Sequence, residues 1–483
     1  MFARTENQDG RGRGSSPHPA GGLGKSTLGP SAPAPIEVGG GSALILSGDL
    51  GADASGLASL RVRLGASQEP LGASGIRIPS GRRLWWAVMP LAKGTPTGPA
   101  TVALVGDGPS GEVELPLGET AIGPPPEEDW PAVTDPGGES PLIAIAMATY
   151  EPPAEAIRRQ IESIREQGWT RWVCLVSDDA SSPEAFAGIE RAIDGDPRFV
   201  VSRSERRLGF LRNFERALRA VPAEAAYVAL ADQDDRWYPD KLARLASTLE
   251  SAPAARLAYS DMRITDGDGK VISDTYWYLR RERHDDVASL MVANVVTGAA
   301  SLFHRDLLDD ALPFPPASPG HAIYHDHWLA LCALGTGEIA YLDAPTYDYS
   351  RHDDAVTVRE APDWIRPERG FAGRARVHWR RATRRMRMGS ASPGFASVYR
   401  DRWLMIDQLA SALELRFGDR LSKPARRDLG RLTRAERSPL AAAWLVGRCL
   451  RPLIGRNETL ARERVLFGGL LWRWMPWLPL WRR

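Results

Sequence analysis

From Leu142 to Asp235, four short, almost wholly apolar runs ("LIAIAMATY", "WVCLVS", "RFVVSR" and "AYVALA") alternate with three amphipathic segments ("PAEAIRRQIESIREQG", "EAFAGIERAI" and "FLRNFERALRAV"). A run that is apolar at every position has no wet face, so it suits a strand covered on both sides. In the first amphipathic segment Ile157, Ile161 and Ile164 recur at helical spacing, and Gly168 ends the pattern. Strands alternating with helices of about 10–15 residues specify βαβ units. The expectation is an α/β domain with a mostly parallel sheet and helices on both faces.

The flanks differ in texture. Residues 1–40 are low-complexity and expected to be disordered. Their "GGLGKST" resembles a phosphate-binding loop, but Pro19 stands where that loop needs Gly and no strand precedes it. Over 41–122, short β-rich runs such as "SALILS" and "GEVELPLG" are separated by Gly, Pro and Ser, which suggests a small antiparallel sandwich. Core packing is the default there for Trp85 and Trp86. Residues 123–140 read as a linker, 141–360 as the α/β domain and 361–483 as a helical region.

Net charge, +1 overall, hides an asymmetry: residues 361–483 hold 27 Lys+Arg against 10 Asp+Glu, and eight of the 16 tryptophans. A basic, Trp-rich segment of this kind suits an anionic surface. Its last stretch, "VLFGGLLWRWMPWLPLWRR", mixes Trp with Arg and Pro, as expected of a peripheral membrane anchor rather than a span. "RRATRRMRM" has no nucleic-acid fold around it, so no nucleic acid partner is expected. Cys174, Cys332 and Cys449 make neither a disulfide framework nor a metal motif. With no signal-peptide pattern and no apolar run of about 18–20 residues, the expected location is cytoplasmic, on the inner face of the cell membrane.

Polar clusters follow three of the apolar runs: Thr149-Tyr150-Glu151, Ser177-Asp178-Asp179 and Asp232-Gln233-Asp234-Asp235. Each alone could be a turn or helix cap. Together they mark the carboxyl ends of the strands, where ligands of open α/β sheets bind. No glycine-rich phosphate loop follows the first run, so the site is rich in carboxylate and suited to a hard divalent cation such as Mg²⁺ or Mn²⁺. In "YHDHWLALCALG", Asp326 reads either as a helix cap or as a general base.

In their order, "MATYEPP", "VSDDAS", "RLGFLRNFERAL", "ADQDDRWYPDKL", "VTGAASLFHRDLL", "HDHWLALCA" and "YSRH" resemble family 2 glycosyltransferases of the GT-A fold, most of all bacterial rhamnosyltransferase-type members. The resemblance spans residues 141–355 and implies a nucleotide-sugar-binding GT-A domain. It implies that Thr149, Tyr150, Glu151, Asp178, Asp179, Asp232 and Asn213 serve a UDP- or dTDP-linked donor. Asp232, Asp234 and His352 would hold Mn²⁺ or Mg²⁺, and Asp326 would be the catalytic base. Trp237, Thr297, Gly298, His325, His327 and Trp328 would form the acceptor side, facing a glycan or polyprenyl-linked acceptor. The arrangement is also similar to that of galactofuranosyltransferases. The rival expectations are a non-catalytic glycan-binding or assembly protein on the same scaffold and, more weakly, a metal-dependent phosphohydrolase.

Overall fold

The structure is a computed structural model. It describes residues 41–50, 57–70, 76–77, 83–123, 130–266, 269–276, 284–316, 323–351, 395–435 and 438–449, with Ile36, Val38, Leu466 and Leu470. His352 and most of the last 33 residues lie outside the described residues.

The N-terminal strands are β1 (Gly41–Leu50), β2 (Ala58–Leu64), β3 (Ser67–Pro70), β4 (Ile76–Arg77), β5 (Arg83–Ala92), β6 (Gly98–Gly108) and β7 (Gly111–Ile122). They form two antiparallel sheets, ordered β1-β5-β4 and β3-β2-β6-β7. Leu44, Leu46, Trp85, Ala87 and Met89 of the first meet Val62, Leu64, Val102 and Leu104 of the second in one core. Alternate residues point to opposite faces of a strand, so Ala43 and Ile45 turn the other way. Ile45 packs with Leu404 of a C-terminal helix. The "ALIL" run is continuous because β1 is covered on both faces.

The central domain follows as β8 (Ile143–Thr149), α1 (Ala154–Arg165), β9 (Trp172–Asp178), α2 (Pro183–Ile193), β10 (Phe199–Arg203), α3 (Phe210–Arg219) and β11 (Tyr227–Ala231). Next come β12 (Arg236–Trp237), α4 (Lys241–Glu250), β13 (Ala255–Asp266), β14 (Val271–Ser273), α5 (Val287–Val292), β15 (Ser301–His304), α6 (Leu307–Ala311), α7 (His325–Thr336) and β16 (Glu338–Arg351). The sheet runs β10-β9-β8-β11-β15-β13-β16-β12, with β14 on β13. Its first four strands are parallel. The remainder is mixed, because β15 is antiparallel to both β11 and β13. A mostly parallel sheet is therefore correct for the first half only. β15 is four residues long, too short to declare a direction by its pattern.

β8 continues to β9 and β10 on one side, while β11 returns on its other side. Strand order thus reverses at β8/β11, which opens a crevice between Thr149 and Asp232. Helices α8 (Phe395–Phe417), α9 (Lys423–Arg434) and α10 (Pro439–Cys449) share the central core through Trp403, Leu409, Leu413, Leu429 and Leu445. Leu466 and Leu470 belong to the same core. Among the described residues no helix is long and apolar enough to cross a membrane.

Candidate active site

At the crevice the two central strands are tied together by amides. The Tyr150 amide donates to Oε1 of Gln233 (2.8 Å), and Nε2 of Gln233 donates back to the Tyr150 carbonyl (3.3 Å). Asn213, from α3, donates to the carbonyls of Thr149 (3.1 Å) and Ser177 (2.9 Å) and accepts from the Ser177 hydroxyl (2.6 Å). Buried and fully occupied, Asn213 fixes the ends of β8 and β9 and has no donor left for a nucleotide.

The paired aspartates after β9 are also committed within the protein. Asp178 is buried and accepts from the Thr149 hydroxyl, the Ser181 amide and the Ser181 hydroxyl. Asp179 takes the Leu208 and Gly209 amides, one on each oxygen, and so shapes the loop that opens α3. Glu151, at φ +44°, accepts from the Ser182 amide (2.6 Å) and hydroxyl (3.0 Å) at the start of α2. Tyr150 keeps its side chain exposed, with the Arg207 guanidinium 4.0 Å from the ring centroid. Of the donor residues read from the sequence, Tyr150 and Glu151 are exposed and Asp232 is partly so, while Thr149, Asp178, Asp179 and Asn213 are buried in hydrogen bonds within the protein.

The acidic cluster stands on the β11–α4 connection. Burial pushes Asp232 up to about 7, with the charges of Asp234 and Asp326 adding to the effect and Lys241 opposing it. Asp235 is pushed well above the usual carboxylate range by burial, then by Asp232 and Asp234. The Ser350 backbone amide only partly offsets this rise. Beneath them lies Lys241, completely buried. Its ammonium donates to the Ala299 carbonyl and sits 3.9 Å from the Trp237 ring centroid and 4.4 Å from that of Tyr347. Burial pulls this lysine down to about 7, against the pull of Asp235 and Asp232. Gln233 and Lys241 were not foreseen: one hides between two aspartates, and the other looks like a surface lysine opening a helix.

Asp326 lies in the first turn of α7, close enough to the cluster to raise Asp232. It accepts from the His327 amide (2.6 Å) and the Gly298 amide (3.2 Å). Burial lifts it to about 6 despite those bonds. A Cβ on Gly298 would come within 2.8 Å of His325 Nε2, so only glycine lets this turn approach α7 so closely. His325 stacks on Phe214, and burial holds it neutral, down to about 3. His327 contacts the Leu290 carbonyl through Nε2 (2.7 Å). Trp328 donates to the Ala311 carbonyl (2.8 Å) from within the core, and Trp237 is equally buried. Trp237, Trp328, His325 and His327 are therefore packing residues here. Gly298 lies against Asp326 through its amide.

The two aspartates expected to hold a divalent cation fit one. Burial, then the neighbouring charges of Asp234 and Asp326, raise Asp232, and a hard cation shared by Asp232 and Asp234 would relieve both effects. Among the described residues no three His, Cys, Asp or Glu side chains converge to cage an ion. Mg²⁺ needs no such cage, because it typically takes one or two carboxylates, waters and substrate phosphates.

An acidic cluster at the switch point of a half-parallel sheet, with a separate half-buried carboxylate beside it, is consistent with a GT-A domain. The family described as "Glycosyl transferase family 2" matches residues 144–312, from β8 through α6. Among curated relatives, the uncharacterized protein y4gI of Sinorhizobium fredii is 30% identical over 122 residues, 25% of this chain and 13% of its own length. The uncharacterized glycosyltransferase MJ1057 of Methanocaldococcus jannaschii is 27% identical over 137 residues, 28% of this chain and 47% of its own. The chain thus spans less than half the length of either. Among solved structures, S. aureus TarS residues 1–349 with UDP-GlcNAc shows 15% identity and a TM-score of 0.40, covering 69% of this chain and 92% of that one. The mannosyltransferase PcManGT of Pyrobaculum calidifontis with GDP-Man and Mn²⁺ shows 18% and 0.33, covering 72% and 91%.

Proposed function

We propose that the chain is an inverting, metal-dependent glycosyltransferase. It would move rhamnose, galactofuranose or a hexose from a nucleotide-diphosphate donor to a growing cell-surface glycan or lipid-linked acceptor. The observation that carries this reading is the placement of Asp326. A half-buried carboxylate, lifted to about 6 and held by two amides, stands beside the acidic cluster of the stretch that matches family 2. At neutral pH it is ionised yet more basic than a solvated aspartate, which suits a general base.

In this mechanism the acceptor hydroxyl gives its proton to Asp326, and its oxygen forms the new bond to the anomeric carbon. The bond from that carbon to the diphosphate breaks on the opposite face, which inverts the configuration. Tyr150 and the amide-tied crevice position the nucleoside, and Gly298 aims the base. Mn²⁺ or Mg²⁺ held by Asp234 and Asp232 would supply charge neutralisation for the leaving diphosphate. We place the enzyme at the inner face of the cell membrane, on the strength of its basic, Trp-rich C-terminus.

The test is a thermal-shift screen of UDP- and dTDP-sugars with Mn²⁺ and with chelator. Stabilisation by one nucleotide series in Mn²⁺, lost in chelator, is the expected result. No stabilisation by any of them would overturn the proposal.

A further inference from the structure

With Trp237 and Trp328 in the core, the aromatic surface at this edge of the sheet lies elsewhere. Among the described residues, the exposed large aromatics are Tyr150 (37%) and Phe210 (39%), and both stand at the carboxyl ends of the strands. Phe210 opens α3 directly after Gly209, whose amide is held by Asp179. Tyr324 immediately precedes α7, two residues before Asp326. The Phe210 and Tyr324 rings lie 5.4 Å apart at 33°. One turn along α3, Phe214 stacks on His325 at 3.8 Å and 22°. Two aromatic pairs, one turn apart, thus join α3 to α7. The inner pair is buried, whereas Phe210 of the outer pair is open to solvent.

Phe210 leaves 39% of its surface in water, although the inner pair already joins the same two helices. A singly exposed apolar residue is ordinary, but this ring is paired with a second one on the side of the sheet where ligands of open α/β sheets bind. We propose that Phe210 and Tyr324 are the platform on which the acceptor sugar lies. A sugar ring has an apolar C–H face, and the negative face of an aromatic ring attracts polarised C–H groups. Tyr324 stands two residues before Asp326, so a sugar seated there lies at the end of α7 that carries this carboxylate. The inference rests on the glycosyl-transfer reading above and gives its acceptor site a location.

Saturation-transfer NMR on the full chain tests this, with methyl α-L-rhamnopyranoside, methyl β-D-galactopyranoside and methyl β-D-galactofuranoside as probes. UDP and dTDP binding with Mn²⁺ is measured by calorimetry on the same samples. Ring C–H protons of at least one glycoside should receive saturation. Phe210→Ala and Tyr324→Ala should each weaken its binding about tenfold, near the upper end for one aromatic contact. Phe210→Trp should retain binding, Phe210→Leu should lose it, and nucleotide affinity should hold in all four. No saturation in the wild type, equal binding by Phe210→Leu, or a parallel loss of nucleotide affinity would overturn the platform. Failure of the wild type to bind either nucleotide would strike the glycosyl-transfer reading itself, and the platform with it.

Discussion

Asp326 owes its basicity to its surroundings: burial raises it, and the Gly298 and His327 amides limit the rise. Replacing it with Asn keeps the shape and removes the base. Transfer should fall by about 10²–10⁴-fold while donor affinity holds, as measured by product formation and calorimetry on one variant. A residue that merely capped α7 would tolerate Asn silently. The pH dependence has a definite sign. The folded value, about 6, exceeds the ordinary 3.8, so this group contributes stability below the unfolded value that is lost as pH rises through about 6. Wild-type transfer should therefore drop as pH falls through about 6, and Asp326→Asn should melt higher than wild type at pH 7.5. Lys241 gives a second residue-scale prediction. Its ammonium satisfies the buried Ala299 carbonyl, and its charge opposes those of Asp235 and Asp232. Lys241→Met should therefore cost about 1–3 kcal/mol in urea unfolding by leaving a buried acceptor unpaired. Asp235→Asn added to it should recover part of that loss, whereas simple additivity would count against the coupling. The strand-end clusters were legible because they follow apolar runs. Whether each carboxylate faces out or in was not, because Ser181, Leu208 and Gly209 reach Asp178 and Asp179 only through the fold.

At the scale of elements, the alternating runs announced β8 to β11 and their helices, and the fold has them. The seam between the N-terminal sheet and α8 was not readable, since it depends on long-range backbone contacts. Gln408 donates to the carbonyls of Ala43 (2.7 Å) and Pro316 (2.9 Å). Arg416 reaches those of Gly41 (2.6 Å), Asp310 (3.2 Å), Ala311 (2.6 Å) and Pro313. Its guanidinium also lies 5.0 Å from the Trp328 ring centroid. A planar fork serves several carbonyls at once, which an ammonium cannot. Arg416→Ala should cost about 3 kcal/mol by leaving buried acceptors unpaired, and Arg416→Lys should restore less than half. Full rescue by Lys would show that charge alone matters there.

Over the whole molecule, support for the site passes from the N-terminal sheet through α8 to α7, whose first turn carries Asp326. The charge split of the chain was plain from composition, but the packing of Leu466 and Leu470 into the core was not. An anchor would therefore begin beyond Leu470. Removing residues 473–483 should release the protein from vesicles containing anionic lipid while leaving nucleotide binding intact. Equal co-sedimentation of both forms would contradict a membrane role for those residues. The central claim, that the acidic crevice is a metal-assisted nucleotide-sugar site, meets its most direct test in calorimetry of UDP and dTDP. Wild type and Asp234→Ala are each titrated with Mn²⁺ and again in chelator. The account predicts binding by the wild type in Mn²⁺, and loss of most of that affinity both in chelator and in Asp234→Ala. Undiminished binding in chelator, or by the alanine variant, would contradict it.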